Sequence, residues 1–297
     1  MKSAKKDYKE LNVSDKWRDY ELIDVSDGER LERWGDAILV RPDPQVIWSG
    51  IRNSPKWESY NGRYIRSDTG GGHWDDHGMK EKWTIAYGAL KLMVKPMGFK
   101  HTGIFPEQAY NWDRCSGLIS ASGRHVSVLN LFAYTGCATM ACAAAGADVC
   151  HVDASKGMVA QAKENAALCN LSGAPIRYIV DDCIKFCERE IRRGHKYDAI
   201  IMDPPSYGRG PGGELWKLEE SIFPFIQLAA SLLSDNPLFF LLNSYTTGLS
   251  AGTMAYMIST ALKAFPGQTE AYELGLHVSR SGLSLPCGSS ALRVLNP

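Results

Sequence analysis

Hydrophobic positions in the second half of the chain follow two alternating spacings. Short apolar runs, such as "VSVLNLF" and "YDAIIMD", are each followed by a longer segment whose apolar residues recur every three or four positions. The first spacing is typical of buried strands and the second of amphipathic helices. Five such strand–helix units follow one another in residues 126–265, and "EAYELGLHVS" and "SSALRVLNP" then read as two more strands. The pattern predicts an α/β fold: a seven-stranded, mostly parallel sheet that ends in a C-terminal hairpin.

The first half of the chain has a different pattern. From Tyr20 onwards, alternating stretches such as "YELIDV", "AILVRPDP" and "KWTIAYGALKLMVKP" are separated by turn signals, which predicts β-hairpins. We therefore expect a smaller β-rich N-terminal domain, with a boundary between residues 107 and 123. The predicted organisation is a polar, frayed or lightly helical segment (residues 1–19), a β-rich domain with its linker (20–115) and an α/β domain (116–297).

Composition limits the class of protein but does not identify a binding partner. Lys and Arg together number 33, as do Asp and Glu, so a nucleic-acid partner would require local patterning of positive charge. The eight cysteines form no CxxC pair, which favours reduced thiols in the cytoplasm. No apolar run approaches the ~20 residues of a membrane span, so we expect no membrane association. The glycine-rich loop predicted at residues 66–78 carries His73 and His77 but no fuller ligand set, so no metal site is expected.

Polar or turning residues follow each of the first four predicted strands of the sheet. Because the carboxyl ends of parallel strands share one edge, these residues are expected to line a ligand site. They are Gly136, Asp153, Asp181, Asp182 and Asp203. The loop "AYTGCAT" holds a single glycine, whereas a pyrophosphate needs a fuller glycine cradle. An adenosine with a non-phosphate tail fits better, and S-adenosylmethionine is the common example. Asp153 taken alone is equally explained as a helix N-cap.

The motifs at this edge resemble those of a known family. Residues 129–147, "VDASKGMVAQAKENA", "VDDCIKF" and "DPPSYGRG" are similar to class I S-adenosylmethionine-dependent methyltransferases, which have a Rossmann-like sheet. More narrowly, they resemble the bacterial 23S rRNA large-subunit methyltransferases that place a small β domain before the catalytic domain. The resemblance covers roughly residues 20–297. It implies S-adenosylmethionine as the cofactor and RNA, in particular ribosomal RNA, as the substrate; a homodimer is a further expectation.

The resemblance also implies cofactor-binding residues. The segment "FKHTGIFPEQ" matches the family's link between domains, and "FAYTG" matches the loop around the methionine end of the cofactor. The resemblance puts the ribose at Asp153, the adenine at Asp182 and Asn165 on the helix packed behind them. From the residues alone, either Asp181 or Asp182 can accept from the adenine amine, and Cys183 or a nearby apolar side chain can cover the ring. The full expected set is Thr102, Gly103, Phe105, Gln108, Phe132, Tyr134, Thr135, Gly136, Asp153, Ala154, Ser155, Asn165, Asp181, Asp182, Cys183 and Asp203.

One position departs from the cytosine-C5 members of that family. They carry a nucleophilic Cys after the fifth strand, where "LLNSYTTGLS" has Tyr245. Carbon 5 of cytosine needs a thiolate to activate the ring, and a phenol with an ordinary pKa of about 10 is a poor substitute. A nitrogen acceptor needs only correct placement. We therefore expect transfer to nitrogen rather than to cytosine C5.

The expected catalytic residues lie at the ends of the fourth and fifth strands. Asp203 and the carbonyl of Pro204 are predicted to orient the target nitrogen, with Tyr207 and Tyr245 as aromatic walls. Tyr207 is one place later than in the adenine-N6 type of motif, because Ser206 intervenes. The loop "GRGPGG" is expected to close over the substrate, with Arg209 available to a phosphate. A small-molecule or protein methyltransferase, or a non-catalytic NAD-type nucleotide-binding module, remains the alternative.

Overall fold

The computed structural model describes residues 11–50, 52, 54–67, 71–209 and 215–295. The first ten residues of the predicted polar segment lie outside this range, as does most of the predicted closing loop at 208–213. The described residues form two compact units. Unit 1 comprises those of Met1–Tyr110 together with Glu273–Cys287, and unit 2 comprises those of Asn111–Tyr272 and Gly288–Pro297.

Unit 1 is rich in antiparallel strands, as the alternating pattern predicts. Its strands and one-turn 3₁₀ helices are β1 (Asn12–Val13), β2 (Tyr20–Ser26), β3 (Glu29–Trp34), β4 (Ala37–Pro42), a 3₁₀ helix (Pro55–Trp57), β5 (Gly62–Arg66), β6 (Gly72–Asp76), β7 (Trp83–Tyr87), β8 (Leu90–Val94) and a second 3₁₀ helix (Pro106–Gln108). Strands β2 to β6 form one sheet in sequence order, and β7 and β8 form a hairpin. The sheet packs its apolar face around Ile23, Leu31, Val40 and Trp57.

Unit 2 alternates strands and helices. Its elements are α1 (Ala109–Ala121), β9 (Ser127–Leu131), α2 (Cys137–Ala144), β10 (Asp148–Asp153), α3 (Lys156–Leu168), β11 (Ile176–Val180), α4 (Cys183–Arg192), β12 (Ala199–Met202), β13 (Tyr207–Arg209), β14 (Leu215–Lys217), α5 (Leu218–Ala230), β15 (Phe239–Ser244), α6 (Ala251–Ala261), β16 (Gly267–His277) and β17 (Ser284–Leu295). Strands β16 and β17 continue from unit 2 into unit 1, and α1 begins two residues before unit 2 does.

Among the described residues, the central sheet has eight strands in the order β1-β16-β17-β15-β12-β9-β10-β11; the short edge strand β1 is added to the seven that were predicted. Strands β9 to β12 and β15 pair in parallel, and β17 is antiparallel to β15. Alternate residues of β9 supply two hydrophobic clusters, with Leu129 and Leu131 in one and Val128 in the other. Because both faces are covered, the strands are apolar throughout. The predicted fold class is confirmed.

Two local predictions are wrong. Residues 66–78 were expected to form a loop, but Gly72–Asp76 within them is a strand paired with β5, where the rings of Tyr64 and Trp74 meet edge to face at 5.5 Å. The polar segment 1–19 was expected to be frayed or helical, but Asn12 and Val13 pair in parallel with Leu274 and Gly275 of β16. Both pairings depend on partners that the local hydrophobic pattern does not show.

Unit 1 is discontinuous in the sequence. The segment Glu273–Cys287 joins it through the β1 pairing, through a bridge between Leu22 and Val278, and through a hydrogen bond from Ser279 Oγ to Glu21 Oε1 (2.6 Å). The chain passes from unit 1 to unit 2 after Tyr110, returns to unit 1 at Glu273 and enters unit 2 again at Gly288. Among the described residues, no helix has both the length and the apolar composition needed to cross a membrane.

Candidate active site at the carboxyl edge of the central sheet

The predicted strand-end residues lie side by side. Leu131 of β9 pairs with Val152 of β10 and with Met202 of β12, and Met202 pairs with Leu242 of β15. The residues that follow these strands are therefore neighbours at one edge. The backbone N–H of Asp203 donates to the carbonyl of Leu131 (3.4 Å), which places Asp203 at the point where the strand order reverses. Such a switch point is where open α/β sheets bind ligands.

The loop after β9 has an unusual backbone. Phe132, Tyr134 and Gly136 have φ of 54°, 51° and 82°, so three of five consecutive residues are left-handed. Two of these carry side chains, which costs on the order of 1 kcal/mol or more each. A Cβ atom at Gly136 would lie 2.9 Å from Cβ of Ala162, so the turn also needs glycine for space. This strain is held by the surrounding contacts.

Asp153 supplies the main polar support of that loop. Its Oδ2 accepts from the backbone N–H of Tyr134 (2.8 Å) and its Oδ1 accepts from that of Ser155 (2.8 Å). Burial raises the pKa of the Asp153 carboxyl, and the two backbone donors oppose that rise. Each oxygen keeps a further lone pair, so the carboxylate can still accept from a diol. Ser155 caps α3 through its side chain, and Ala154 is exposed. The N-cap role is therefore filled by Ser155 rather than by Asp153.

A buried amide holds the other side of the loop. Nδ2 of Asn165 on α3 donates to the carbonyl of Thr135 (2.9 Å), and both residues are fully buried. The amide thus ties the loop to the helix packed behind it. The predicted position of Asn165 behind the site agrees with this contact.

The residues after β11 already have structural partners. Asp182 caps α4 by accepting from the backbone N–H of Lys185 (2.9 Å), and Asp181 pairs with Arg189. Cys183 is 2% exposed, and its sulfur accepts from the backbone N–H of Phe132 (3.4 Å). All three lie near the loop that follows β9, residues 132–136, which we call the cofactor loop. Their expected contacts with an adenine stay predictions.

Four other expected cofactor residues lie in unit 1. Thr102 accepts at its carbonyl from the backbone N–H of Lys95 (2.9 Å), and the hydroxyl of Thr102 is buried. Phe105 begins the 3₁₀ helix that contains Gln108. Gly103 is buried. Their role toward the cofactor stays a prediction.

A buried histidine beneath the loop was missed by the sequence reasoning. His151 of β10 is fully buried, its Nδ1 lies 2.9 Å from Oγ1 of Thr139, and its Cε1 would lie 3.3 Å from a Cβ at Gly136. Oγ1 of Thr139 accepts from Asn130 (2.9 Å) and so has its proton free to donate to His151. Burial lowers the pKa of His151 to about 4, so the ring is neutral. A histidine inside an apolar strand is the signal that sequence reasoning could have used.

The Asp-Pro-Pro segment is attached to its neighbours on two sides. The carbonyl of Pro205 accepts from Nε1 of Trp216 (2.6 Å), and Oγ of Ser206 lies 2.5 Å from Oγ1 of Thr246. Pro204 is buried and Asp203 is half-buried. The second contact joins the ends of β12 and β15, so the Asp203 and Tyr245 segments run side by side.

A short hairpin follows this segment where a slack loop was expected. Tyr207–Arg209 pairs with Leu215–Lys217, and Tyr207 is 58% exposed. The rings of Phe132, Trp216 and Phe225 lie 5.3 to 5.8 Å apart, which anchors the hairpin to the cofactor loop. The expectation of a slack backbone is wrong for the described part. The expected closure over a substrate concerns residues that lie outside it.

Tyr245 is half-buried directly after β15. A buried network braces the strand below it: Nδ2 of Asn111 donates to Oδ1 of Asn243 (2.9 Å) and to Oγ of Ser290 (3.0 Å), and Ser290 donates to Oδ1 of Asn243 (2.8 Å). The hydroxyl of Tyr272 donates to Oδ1 of Asn111 (2.7 Å). These bonds fix the end of β15 and hence the start of the Tyr245 segment.

The groups at this edge suit an adenosine-based cofactor. The edge has the carboxylate of Asp153, which can accept further hydrogen bonds, and the tight turn at Gly136. Asp203 adds a second carboxylate at the switch point. The sequence of this loop lacks the several glycines that would hold a pyrophosphate. In the described part of the chain, no group of three or more His, Cys, Asp or Glu side chains is arranged to hold a metal ion. The fold and the site together define a Rossmann-like methyltransferase.

Comparison with known families agrees with that class. Residues 49–214 match the family described as S-adenosylmethionine-dependent methyltransferase. The chain belongs to this family, and its cofactor is S-adenosylmethionine. A solved S-adenosylmethionine-dependent methyltransferase from Agrobacterium tumefaciens is 33% identical, with a TM-score of 0.89 over 95% of this chain and 92% of that one. SMU.776, a methyltransferase complexed with SAH, shares the fold at 19% identity, with a TM-score of 0.74 over 94% of this chain and 76% of that one.

Curated relatives carry a more specific name. The "Ribosomal RNA large subunit methyltransferase K/L" of Shewanella oneidensis is 31% identical over 215 residues, which cover 68% of this chain and 28% of that protein. The protein of that name from Shewanella frigidimarina is 33% identical over 155 residues, which cover 52% of this chain and 21% of that protein. The chain therefore matches less than a third of the length of these relatives.

Proposed function

We propose that this protein methylates a nitrogen atom of a nucleotide in RNA, with ribosomal RNA as its substrate. The observation that carries the proposal is the pairing of the Asp203 segment with the Tyr245 segment through Ser206 and Thr246. The carboxylate of Asp203 and the ring of Tyr245 are then both available at this edge, and position 245 carries a phenol and not a thiol. The names of the Shewanella relatives support ribosomal RNA as the substrate class.

Bound S-adenosylmethionine supplies an electrophilic methyl group on a sulfonium sulfur. The carboxylate of Asp203 and the carbonyl of Pro204 accept hydrogen bonds from the target amine, which directs the nitrogen lone pair at that methyl group. Transfer would form the nitrogen–carbon bond at the expense of the carbon–sulfur bond of the cofactor, and Asp203 or water would accept the proton that the nitrogen loses. Tyr245 and Tyr207 pack against the target base, which is turned out of its stack.

The cysteines support a route without a covalent enzyme–substrate bond. Seven of the eight are buried and Cys169 is half-buried. Burial raises the pKa of Cys137 to about 12 and raises that of Cys183 well above the ordinary range. A thiol held in this way gives little thiolate, which is the nucleophilic form that cytosine-C5 chemistry requires. Nitrogen methylation needs no such group.

The remaining roles follow from an RNA substrate. We propose that unit 1 helps to hold the RNA, that the protein acts in the cytoplasm, and that it works there as a homodimer. Size-exclusion chromatography with light scattering tests the last point directly. A monomer at working concentration would remove the homodimer from the proposal without affecting the reaction.

The central test supplies tritiated S-adenosylmethionine and RNA from a strain that lacks the gene. We expect label in 23S ribosomal RNA, on a base nitrogen that nuclease mapping and mass spectrometry identify. The Asp203→Ala variant serves as the control for background transfer. Cofactor binding without labelling of any RNA would overturn RNA as the substrate and point to a small molecule or a protein.

A further inference from the structure

A group of cations lies along α4 and the neighbouring edge strand β11. Four of the eight residues 189–196 are Lys or Arg, and the single acid among them, Glu190, is fully buried. The protein as a whole has equal numbers of basic and acidic residues, so this is a local excess. We call this group the α4 cationic surface. It consists of Arg177, Arg189, Arg192, Arg193 and Lys196, and the side chain of His195 lies among them.

Glu190 holds three of these side chains in place. Its oxygens accept from Nη1 of Arg177 (3.0 Å), Nη1 of Arg193 (3.3 Å) and the hydroxyl of Tyr197 (2.6 Å), and Nδ1 of His195 lies 2.9 Å away. The side chains of Arg177, Arg193 and His195 are nevertheless 44%, 53% and 52% exposed. One buried carboxylate thus orders three side chains that stay about half exposed.

The aromatic ring of Phe186 orders the surface further. The guanidinium carbon of Arg177 lies 5.5 Å from the centre of this ring, and that of Arg189 lies 5.9 Å away. Arg189 also pairs with Asp181, and Glu188 is an exposed acid on the same helix. Arg192 and Lys196 add exposed positive charge beyond these pairs, and Nζ of Lys196 donates to the carbonyl of Ser231 (2.7 Å). Cations that are already ordered lose less side-chain entropy when they bind an anion.

The direction of α4 shows how far this surface lies from the candidate site at the carboxyl edge, because the helix runs from that edge toward the opposite one. The helix is capped by Asp182 at the carboxyl edge of the sheet and runs for ten residues, about 15 Å, to Arg192. An RNA strand whose target nucleotide lies at the carboxyl edge meets these cations if it follows the helix. We propose that the α4 cationic surface binds the phosphate backbone of the RNA substrate away from the target nucleotide. This inference rests on the proposed function.

The competing explanation is local. Cations near the C-terminus of a helix stabilise its backbone dipole, and such a role needs no partner. The two explanations differ in the salt dependence of binding. A phosphate contact releases counterions, so losing one lowers the slope of log K against log salt by about 0.7 for a single strand. Loss of a dipole contact lowers stability and leaves that slope unchanged.

The test measures binding and methylation of in vitro transcribed 23S ribosomal RNA. The variants are Arg192→Gln, Arg192→Glu and the double variant Arg192→Glu/Lys196→Glu. Lys263→Glu reverses an exposed cation on a different segment and is the control matched in charge to Arg192→Glu. We expect the double variant to raise KM for RNA about tenfold and to lower the salt slope, with kcat and KM for the cofactor unchanged. Arg192→Gln should give a smaller change in the same direction, and Lys263→Glu none.

The outcomes separate the two proposals. A wild-type protein that binds the cofactor but neither binds nor methylates RNA would overturn the proposed function together with this inference. A wild-type protein that methylates RNA, with Arg192→Gln and the double variant both folded and unchanged in KM and salt slope, would overturn the inference alone. Circular dichroism melts of each variant show which of them are folded. If the double variant does not fold, Arg192→Gln decides the question by itself.

Discussion

The ring of Tyr245 lies directly on the backbone of Gly288. A Cβ atom at position 288 would be 2.9 Å from Cε1 and 3.0 Å from Cδ1 of the tyrosine. Such distances are too short for carbon atoms, so any side chain at 288 must displace the ring. Gly288 thereby fixes the position of the Tyr245 ring, which we propose as an aromatic wall of the site. It does so although it is distant from Tyr245 in the sequence.

Gly288→Ala should therefore reduce methyl transfer without weakening cofactor binding. We expect kcat/KM for RNA to fall about tenfold or more, because a small misplacement of a positioning group is costly. Gly117→Ala is the control, since a Cβ there meets nothing within 4 Å. In a Tyr245→Ala background the same change at 288 should have little further effect. Equal losses in both backgrounds would show that Gly288 acts through something other than the tyrosine.

We expect the carboxylate of Asp203 to align the target amine and Tyr245 to contribute only its ring. Asp203→Ala should lower kcat about 100-fold through lost alignment of the target amine, with cofactor affinity measured separately by calorimetry. Tyr245→Phe keeps the ring and should retain most of the activity. Near-complete inactivation by Tyr245→Phe would mean that the hydroxyl itself takes part in the reaction.

The enzyme should form no covalent bond with its substrate. RNA containing 5-fluorocytosine traps enzymes that add a nucleophile to cytosine, so gel electrophoresis after denaturation is a direct measurement. We expect no protein–RNA adduct, because the resemblance to cytosine-C5 enzymes puts Tyr245 at the position of their nucleophilic thiol. A band that survives denaturation would require a nucleophile and would refute the nitrogen mechanism.

Asp153 should control affinity for the cofactor. Asp153→Ala removes hydrogen bonds to a carboxylate, worth about 1.5–3 kcal/mol each, so calorimetry should show weaker binding of S-adenosylmethionine. Asp148→Ala removes the same group from the opposite end of the same strand and should leave affinity unchanged. Thermal melts of both variants separate loss of affinity from loss of the loop that Asp153 supports.

Glu190 should contribute stability that disappears in acid. The hydrogen bonds from Tyr197, His195 and Arg177 lower its pKa to about 2 against the opposing effect of burial. A depressed carboxyl pKa stabilises the fold above the unfolded value of about 4.3, and this contribution is lost as pH falls toward 2. Glu190→Gln should lower the free energy of unfolding by about 3 kcal/mol at pH 7.

Urea denaturation at several pH values checks this expectation. The difference between wild type and Glu190→Gln should be largest near pH 7 and should shrink below pH 4. Glu188→Gln, which changes an exposed residue on the same helix, is the control and should have little effect. A constant difference across this range would indicate that the carboxyl is not charged in the folded protein.

The sheet and its edge could be predicted because their signals are local. Each strand that ends at Leu131, Asp153, Val180 or Met202 is a short apolar run followed by a turn or a carboxylate, and parallel pairing then brings the ends together. The sequence also shows directly that position 245 holds a tyrosine and not a cysteine. These features therefore needed no knowledge of distant contacts.

Other parts of the site depend on partners far away in the chain. The sequence does not show that Nε1 of Trp216 donates a hydrogen bond to the carbonyl of Pro205. The glycine-rich segment that precedes Trp216 favoured the prediction of a slack loop. Gly288 looks like an ordinary turn residue until the ring of Tyr245 is placed on it. Asp182 looked like a ligand-binding carboxylate, whereas one of its oxygens is used to cap α4. Local pattern identifies residue types and does not show how side chains share their partners.

The membership of Glu273–Cys287 in unit 1 has a consequence for how the protein is made. Unit 1 cannot complete its set of contacts until residues 273–287 have been synthesised, and these follow the whole of Asn111–Tyr272 in the sequence. Domains usually fold as units in the order of synthesis, so the first part of unit 1 must wait while most of unit 2 is made. A fragment that ends before residue 273 lacks the strand residues that pair with β1 and the bridge to Leu22. Any attempt to express the β-rich unit alone must supply the returning hairpin as a second piece or through a designed linker.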